Sequence, residues 1–176
     1  MTEILLNPLL VTIASAALAV LFAHAALVKL GDVALLEHHL AGYSVPASLR
    51  AGAGKALIAL EGVTALALLS PWRAWGAVSA VVLLWVYALA MAMQLWLKRS
   101  IDCGCGAQAL PVSWALVWRN ALLSLLGGLA MQAVPAQPWT VFDFAVVCAA
   151  LVLSVVLYTA IHQVLFHQSL LRQRSF

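Results

Sequence analysis

Long apolar runs broken by short polar punctuation make up nearly the whole chain. Five of them approach the ~20 apolar residues that a helix needs to cross the hydrocarbon core of a bilayer: residues 9–30, 53–70, 74–97, 113–133 and 141–166. The punctuation is tight. Ser70-Pro71-Trp72-Arg73 parts the second and third runs, and Pro135-Ala136-Gln137-Pro138 parts the fourth and fifth; links this short force neighbouring helices to run antiparallel. In the one longer connection, 31–52, Leu35, Leu36 and Leu40 recur at near-helical spacing. That spacing predicts a short amphipathic helix lying along the interface and ending before Pro46. Met1-Thr2-Glu3-Ile4 lacks the positive region of a cleaved signal peptide, so the first run is expected to stay as a helix. Almost nothing is left for a soluble domain, and residues 1–176 read as a single membrane domain.

Composition agrees. With 65% apolar and 9% charged residues in 176, and a mean hydropathy of +1.05, a soluble domain would leave far too much apolar surface in water. A net charge of +3, with no basic stripe alternating with aromatics, gives no reason to expect a nucleic-acid partner. Trp72, Trp75, Trp96, Trp114 and Trp139 fall near span ends, as an interfacial belt requires. Trp85 and Trp118 read as packing residues, and Gly62, Gly76, Gly127 and Gly128 as points of close helix approach.

The chemistry concentrates in the polar break at 98–112. Cys103-Gly104-Cys105 sits there beside Lys98, Arg99 and Asp102, a setting that favours thiolate formation and backbone freedom. Glycine between the cysteines lets the sulfurs reach bonding range in a small, strained ring. A strained, exposed disulfide has an oxidising potential suited to passing electrons on. Asp102 either opposes the thiolate or transfers its proton. Two thiolates also suit a soft ion such as Cu(I) or mercury, with His24, His38 or His39 joining, although no paired CxxC and HxxxH set supplies a zinc site. Cys148, alone in an apolar run, reads as a small core residue.

Five spans put the 31–52 connection, the cysteine break and the C-terminal tail on one side of the membrane. At ~1.5 Å per residue, His24 and Lys29 lie in the last turns of the first span on that side, and Gln94 near the end of the third. Arg119 and Asn120 lie two turns into the fourth, His162 a turn from the end of the fifth, and Glu61 at about mid-depth. Ionisable groups at such depths cost at least ~2.5 to 3.5 kcal/mol, so Glu61 and Arg119 are expected to face inward, paired with each other or with Lys29. One reading of this cluster is a network that only fixes helix register. The other is a functional site beneath the thiols, since the opposite half has only Asp143 and Arg73, near its surface.

Several stretches carry a family resemblance: Ile101-Asp102-Cys103-Gly104-Cys105-Gly106, Val112-Ser113-Trp114-Ala115-Leu116-Val117-Trp118-Arg119-Asn120, the His24-x4-Lys29-Leu30 end of the first span, Tyr43 with Pro46, and Leu60-Glu61. Over spans one to four the chain resembles the MauE membrane proteins of methylamine utilisation, within the DoxX-like group of four-helix membrane proteins. Members often have Cys-Gly-Cys-Phe-Gly, where this chain passes from Cys105 directly to Gly106. The resemblance implies a multi-pass protein of the bacterial inner membrane that helps mature periplasmic methylamine dehydrogenase, whose small subunit is rich in disulfides, with a thioredoxin-like partner of the MauD kind. Carried onto this sequence, Cys103 and Cys105 are the exchanging pair above a polar floor of Lys29, Glu61, Arg119 and Asn120. A membrane quinone is a candidate acceptor, since Arg, His and Asn offer donors to carbonyl oxygens.

Charge points the other way for the loop. Lys29, Arg50, Lys55, Lys98, Arg99, Arg172 and Arg174 share the cysteine side against Arg73 opposite, which places the thiols toward the cytoplasm. The expected architecture is an all-α membrane bundle, an antiparallel four-helix core with a fifth transmembrane helix packed outside it. Its expected activity is a thiol-disulfide relay, with soft-metal carriage or a non-catalytic scaffold for a redox partner as the competing readings.

Overall fold

Short polar side chains and prolines decide where the helices begin. Asn7 accepts a hydrogen bond from the Leu9 amide at 2.9 Å, with Pro8 in the first turn, and Asp32 accepts one from Leu35 at 2.9 Å; both satisfy amides that a helix start leaves open. Thr140 and Asp143 exchange such bonds reciprocally, a capping box. The computed structural model describes residues 7–98, 112–133 and 140–174. Among them are six helices and no strand: α1 (Pro8–Gly31), α2 (Val33–Gly42), α3 (Ala47–Leu68), α4 (Arg73–Trp96), α5 (Trp114–Ala130) and α6 (Val141–Arg174).

The protein is an all-helical, polytopic membrane bundle. By length and apolarity α1, α3, α4 and the Val141–Ile161 part of α6 each suffice to cross a membrane, while α5 is a shorter apolar helix. Helix α3 starts at Ala47, ahead of the apolar run that begins at residue 53. Pro46 sets the start with extended backbone angles, and Arg50 bonds the Val45 carbonyl at 2.9 Å through Nε, so the first turn tolerates its charge. A helix also forms within the 31–52 connection, with Leu36 as its buried residue.

Four helices close a ring in which α1 packs on α3 and α5, and α4 packs on the same two from across. Outside the ring, α6 lies against α1. Leu18, Ala19 and Phe22 of α1, Ala65 and Leu68 of α3, Ala77, Ala80, Leu83 and Leu84 of α4, and Ala130 of α5 fill the half nearest the α3–α4 turn. A smaller apolar contact, Met91 with Leu116, lies at the other end. Between the two apolar zones runs a polar layer.

Small residues set the helix spacing, but at only two of the four glycines read as approach points. A Cβ on Gly76 would fall 2.6 Å from the Leu68 nitrogen and 2.8 Å from the Ala67 carbonyl carbon, and one on Gly127 would strike Val81; Gly62 and Gly128 face open space. Gly76→Ala is therefore expected to destabilise the bundle by about 1–3 kcal/mol, while Gly62→Ala leaves it unchanged or slightly stabler. Thermal unfolding in detergent micelles checks both, and equal midpoints would show that the α3–α4 approach yields freely.

Three side chains lie elsewhere than the sequence suggested. Trp85 and Trp118 are 47% and 67% exposed, and Cys148 is exposed on α6. All three face the lipid side of their helices, where an apolar side chain is as well solvated as in the core.

Candidate functional site

The polar layer is built from side chains that single helices cannot satisfy and that meet only across the ring. Lys29, in the last turn of α1, reaches Glu61, about 21 Å along α3 from Ala47 at ~1.5 Å per residue. The first half of α3 thus runs past the end of α1 and is flanked there by α2, whose Leu36 lies 3.3 Å from where a Gly54 Cβ would stand. Lys29 Nζ is 2.7 Å from Glu61 Oε1, with the side chains 7% and 0% exposed. The Tyr87 hydroxyl of α4 donates to the same oxygen, and its ring centroid is 5.5 Å from the ammonium. Glu61 Oε1 therefore receives two donors, whereas Oε2 is buried with none. Such a pair avoids leaving a lone charge in a low-dielectric interior, and the ring face adds attraction for the ammonium.

Arg119 has weaker company. Its Nη1 donates to the Tyr158 hydroxyl of α6 at 3.4 Å and its Nη2 to Asn120 Oδ1 at 3.4 Å, both long for such bonds. The guanidinium carbon lies 5.6 Å from the Tyr158 ring. Nε is buried with no partner, and among the described residues no carboxylate approaches it within ion-pair distance; the described ion pair is Lys29–Glu61.

A cleft joins the two groups. Lys29, Glu61, Tyr87, Arg119, Asn120 and Tyr158 line it together with His24, so that its walls hold the cations of Lys29 and Arg119 and the anion of Glu61. The cleft is half open and its free volume is about 40 Å³, against the ~150 Å³ of an apolar cavity that takes a benzene ring. Water molecules or one small polar group fit within it.

Of the site residues expected from the sequence, Lys29, Glu61, Arg119, Asn120 and His24 are brought together. Gln94 is 1% exposed, two turns beyond Tyr87 toward the end of α4, with neither amide atom partnered; it does not line the cleft. Cys103, Cys105 and Asp102 lie outside the described residues, as does the side chain of His162. Glu61 pairs with Lys29 rather than with Arg119. Sequence reading missed Tyr87 and Tyr158, whose only signal is a hydroxyl inside an apolar run. Among the described residues, no three His, Cys, Asp or Glu side chains converge as metal ligands would.

The family described as methylamine utilisation protein MauE matches the chain over residues 7–133, which covers the ring and stops short of α6. Over 141 residues the chain is 34% identical to the methylamine utilization protein MauE of Paracoccus denitrificans, covering 77% of this chain and 76% of that one. No solved structure matches.

Proposed function

The chain belongs to the MauE family of methylamine utilisation proteins, and from that footing we propose that it serves methylamine utilisation as a membrane thiol-disulfide relay acting through Cys103 and Cys105. The observation that carries this reading is the position of the polar layer. It lies at the end of the ring where the cysteine-bearing segment departs from Lys98 and returns at Val112, one apolar contact of Met91 with Leu116 below those anchors. The opposite half of the ring is filled mainly by apolar side chains, with the Thr64–Ser79 hydroxyl pair and Ser15 among its interior polar groups.

In the relay a client thiolate attacks the Cys103–Cys105 disulfide to form a mixed disulfide, and the second client thiolate displaces it. The client loses two electrons and two protons, which the pair gains as two thiols. A disulfide on a thioredoxin-like partner of the MauD kind then reoxidises the pair by the same exchange. The client is a disulfide-rich protein on the face of the membrane where the loop lies, and the periplasmic methylamine dehydrogenase small subunit is such a client if that face is the outer one. Lys98, Arg99 and, from below, Arg119 favour the thiolate form, and Asp102 takes or returns its proton.

Thiol titration of the reconstituted protein across a series of fixed redox potentials tests this. Reversible two-electron loss of two thiols is the expected result. Protection of both thiols by Cu(I) or mercury together with ion transport would replace the relay with a soft-metal carrier.

The charge distribution supports a loop on the cytoplasmic face of the inner membrane, so an impermeant thiol reagent is expected to label Cys103 and Cys105 in inverted vesicles and not in intact spheroplasts. With that orientation the relay moves reducing equivalents across the membrane or serves a cytoplasmic thiol partner. Labelling from outside would instead put the pair directly beside a periplasmic client.

A further inference from the structure

Among the described residues Arg119 is a cation that lacks an anion. Its guanidinium makes two long bonds to neutral oxygens, and its Nε is buried without a partner. Glu61, the one carboxylate among the described residues that line the same cleft, is already matched by Lys29. An unmatched arginine inside a membrane span is costly, and a buried N–H without an acceptor adds to that cost. Glu61 Oε2 presents the complementary deficit, a buried acceptor with no donor. Both residues border the same half-open cleft, whose free volume is about 40 Å³.

These observations define a guest by charge, size and hydrogen bonding. Two cations and one anion in the walls leave room for a single negative charge. The volume admits a carboxylate group with one water, each water needing ~10–15 Å³. Guanidinium binds carboxylate through short, charge-assisted bonds, and Glu61 Oε2 asks that the guest bear a hydroxyl or bring that water as donor. We propose that the cleft binds one carboxylate-bearing monoanion, with Arg119 as its principal ligand, Asn120 beside it, and Tyr158 holding the guanidinium in place. The carboxylate comes either from a small soluble acid or from the head of a fatty-acid-like amphiphile in the bilayer. Tyr158 belongs to α6, beyond the residues that the family model matches, so the site is completed by the helix outside the four-helix ring. The site goes beyond the relay and requires neither loop cysteine.

The test is NMR on the full chain in nanodiscs, with carboxyl-labelled acetate as the soluble probe and carboxyl-labelled oleate as the bilayer probe. Saturable binding of at least one probe is expected, weakened about tenfold or more in Arg119→Gln through loss of the charged bond. Arg119→Lys keeps the charge and is expected to retain part of the affinity, and Tyr158→Phe to fall between. The Cys103→Ser/Cys105→Ser protein is expected to bind as the unaltered chain does, which separates this site from the relay. Saturation by acetate alone assigns a soluble ligand, and saturation by oleate alone a bilayer one. The proposal is overturned if neither probe saturates, if Arg119→Gln binds with unchanged affinity, or if binding disappears with the two cysteines. Should Arg119→Gln fail to fold, Tyr158→Phe decides, and an affinity equal to that of the unaltered chain counts against the site.

Discussion

Replacing Lys29 by methionine is expected to cost the folded bundle about 3–5 kcal/mol, the penalty for leaving one member of a buried ion pair behind. Glu61 would remain fully buried, with the Tyr87 hydroxyl as its described donor. Removing both members, as Lys29→Met with Glu61→Leu, is expected to recover most of the loss, because well-packed apolar replacements of a buried pair are often neutral or stabilising. Detergent-induced unfolding of the two single variants and the double measures the coupling as a mutant cycle. A double variant whose loss equals the sum of the two single losses would mean that the 2.7 Å contact contributes no coupling, and that the polar layer is held by helix packing alone.

Cys103→Ser is expected to abolish thiol exchange with a dithiol client while leaving the unfolding midpoint unchanged, since one of the two exchanging sulfurs is gone. Tolerance of the change would turn the relay into a scaffold. Arg119→Leu supplies the graded companion. In the proposed relay Arg119 favours the thiolate from beneath the loop, so its loss is expected to slow exchange at neutral pH without abolishing it. Stability should fall less, because the leucine removes a cation that has no carboxylate partner within ion-pair reach among the described residues. Unchanged exchange in a poorly folded bundle would make Arg119 a structural residue.

The helices were legible because the bilayer imposes a length of apolar chain, and runs of that length are hard to mistake. The start of α3 was not. Ala47-Ser48-Leu49-Arg50 reads as a polar connection until Pro46 and the Arg50 bond to the Val45 carbonyl make it a first turn. Of the site, Lys29, Glu61, Arg119 and Asn120 announced themselves as polar groups in an apolar medium. Their pairing did not follow, because it depends on how far each helix is rotated and slid against its neighbours. The same geometry hid Tyr87 and Tyr158, whose rings suit either lipid or core. Cys148, Trp85 and Trp118 failed for a related reason: hydropathy separates water from non-water and does not tell a lipid-facing position from a helix contact.

Pairing between distant parts of the chain also bears on how the protein is made. Lys29 meets an acid 32 residues later in the sequence, and Arg119 meets the tyrosine that steadies it 39 residues later. At ~5–20 residues per second, a nascent chain carries each charge into the translocation machinery roughly two to eight seconds before its companion has been synthesised. Early insertion intermediates therefore hold an uncompensated cation, and a truncated messenger ending before α3, or between α5 and α6, would yield fragments prone to retrotranslocation and quality-control proteolysis.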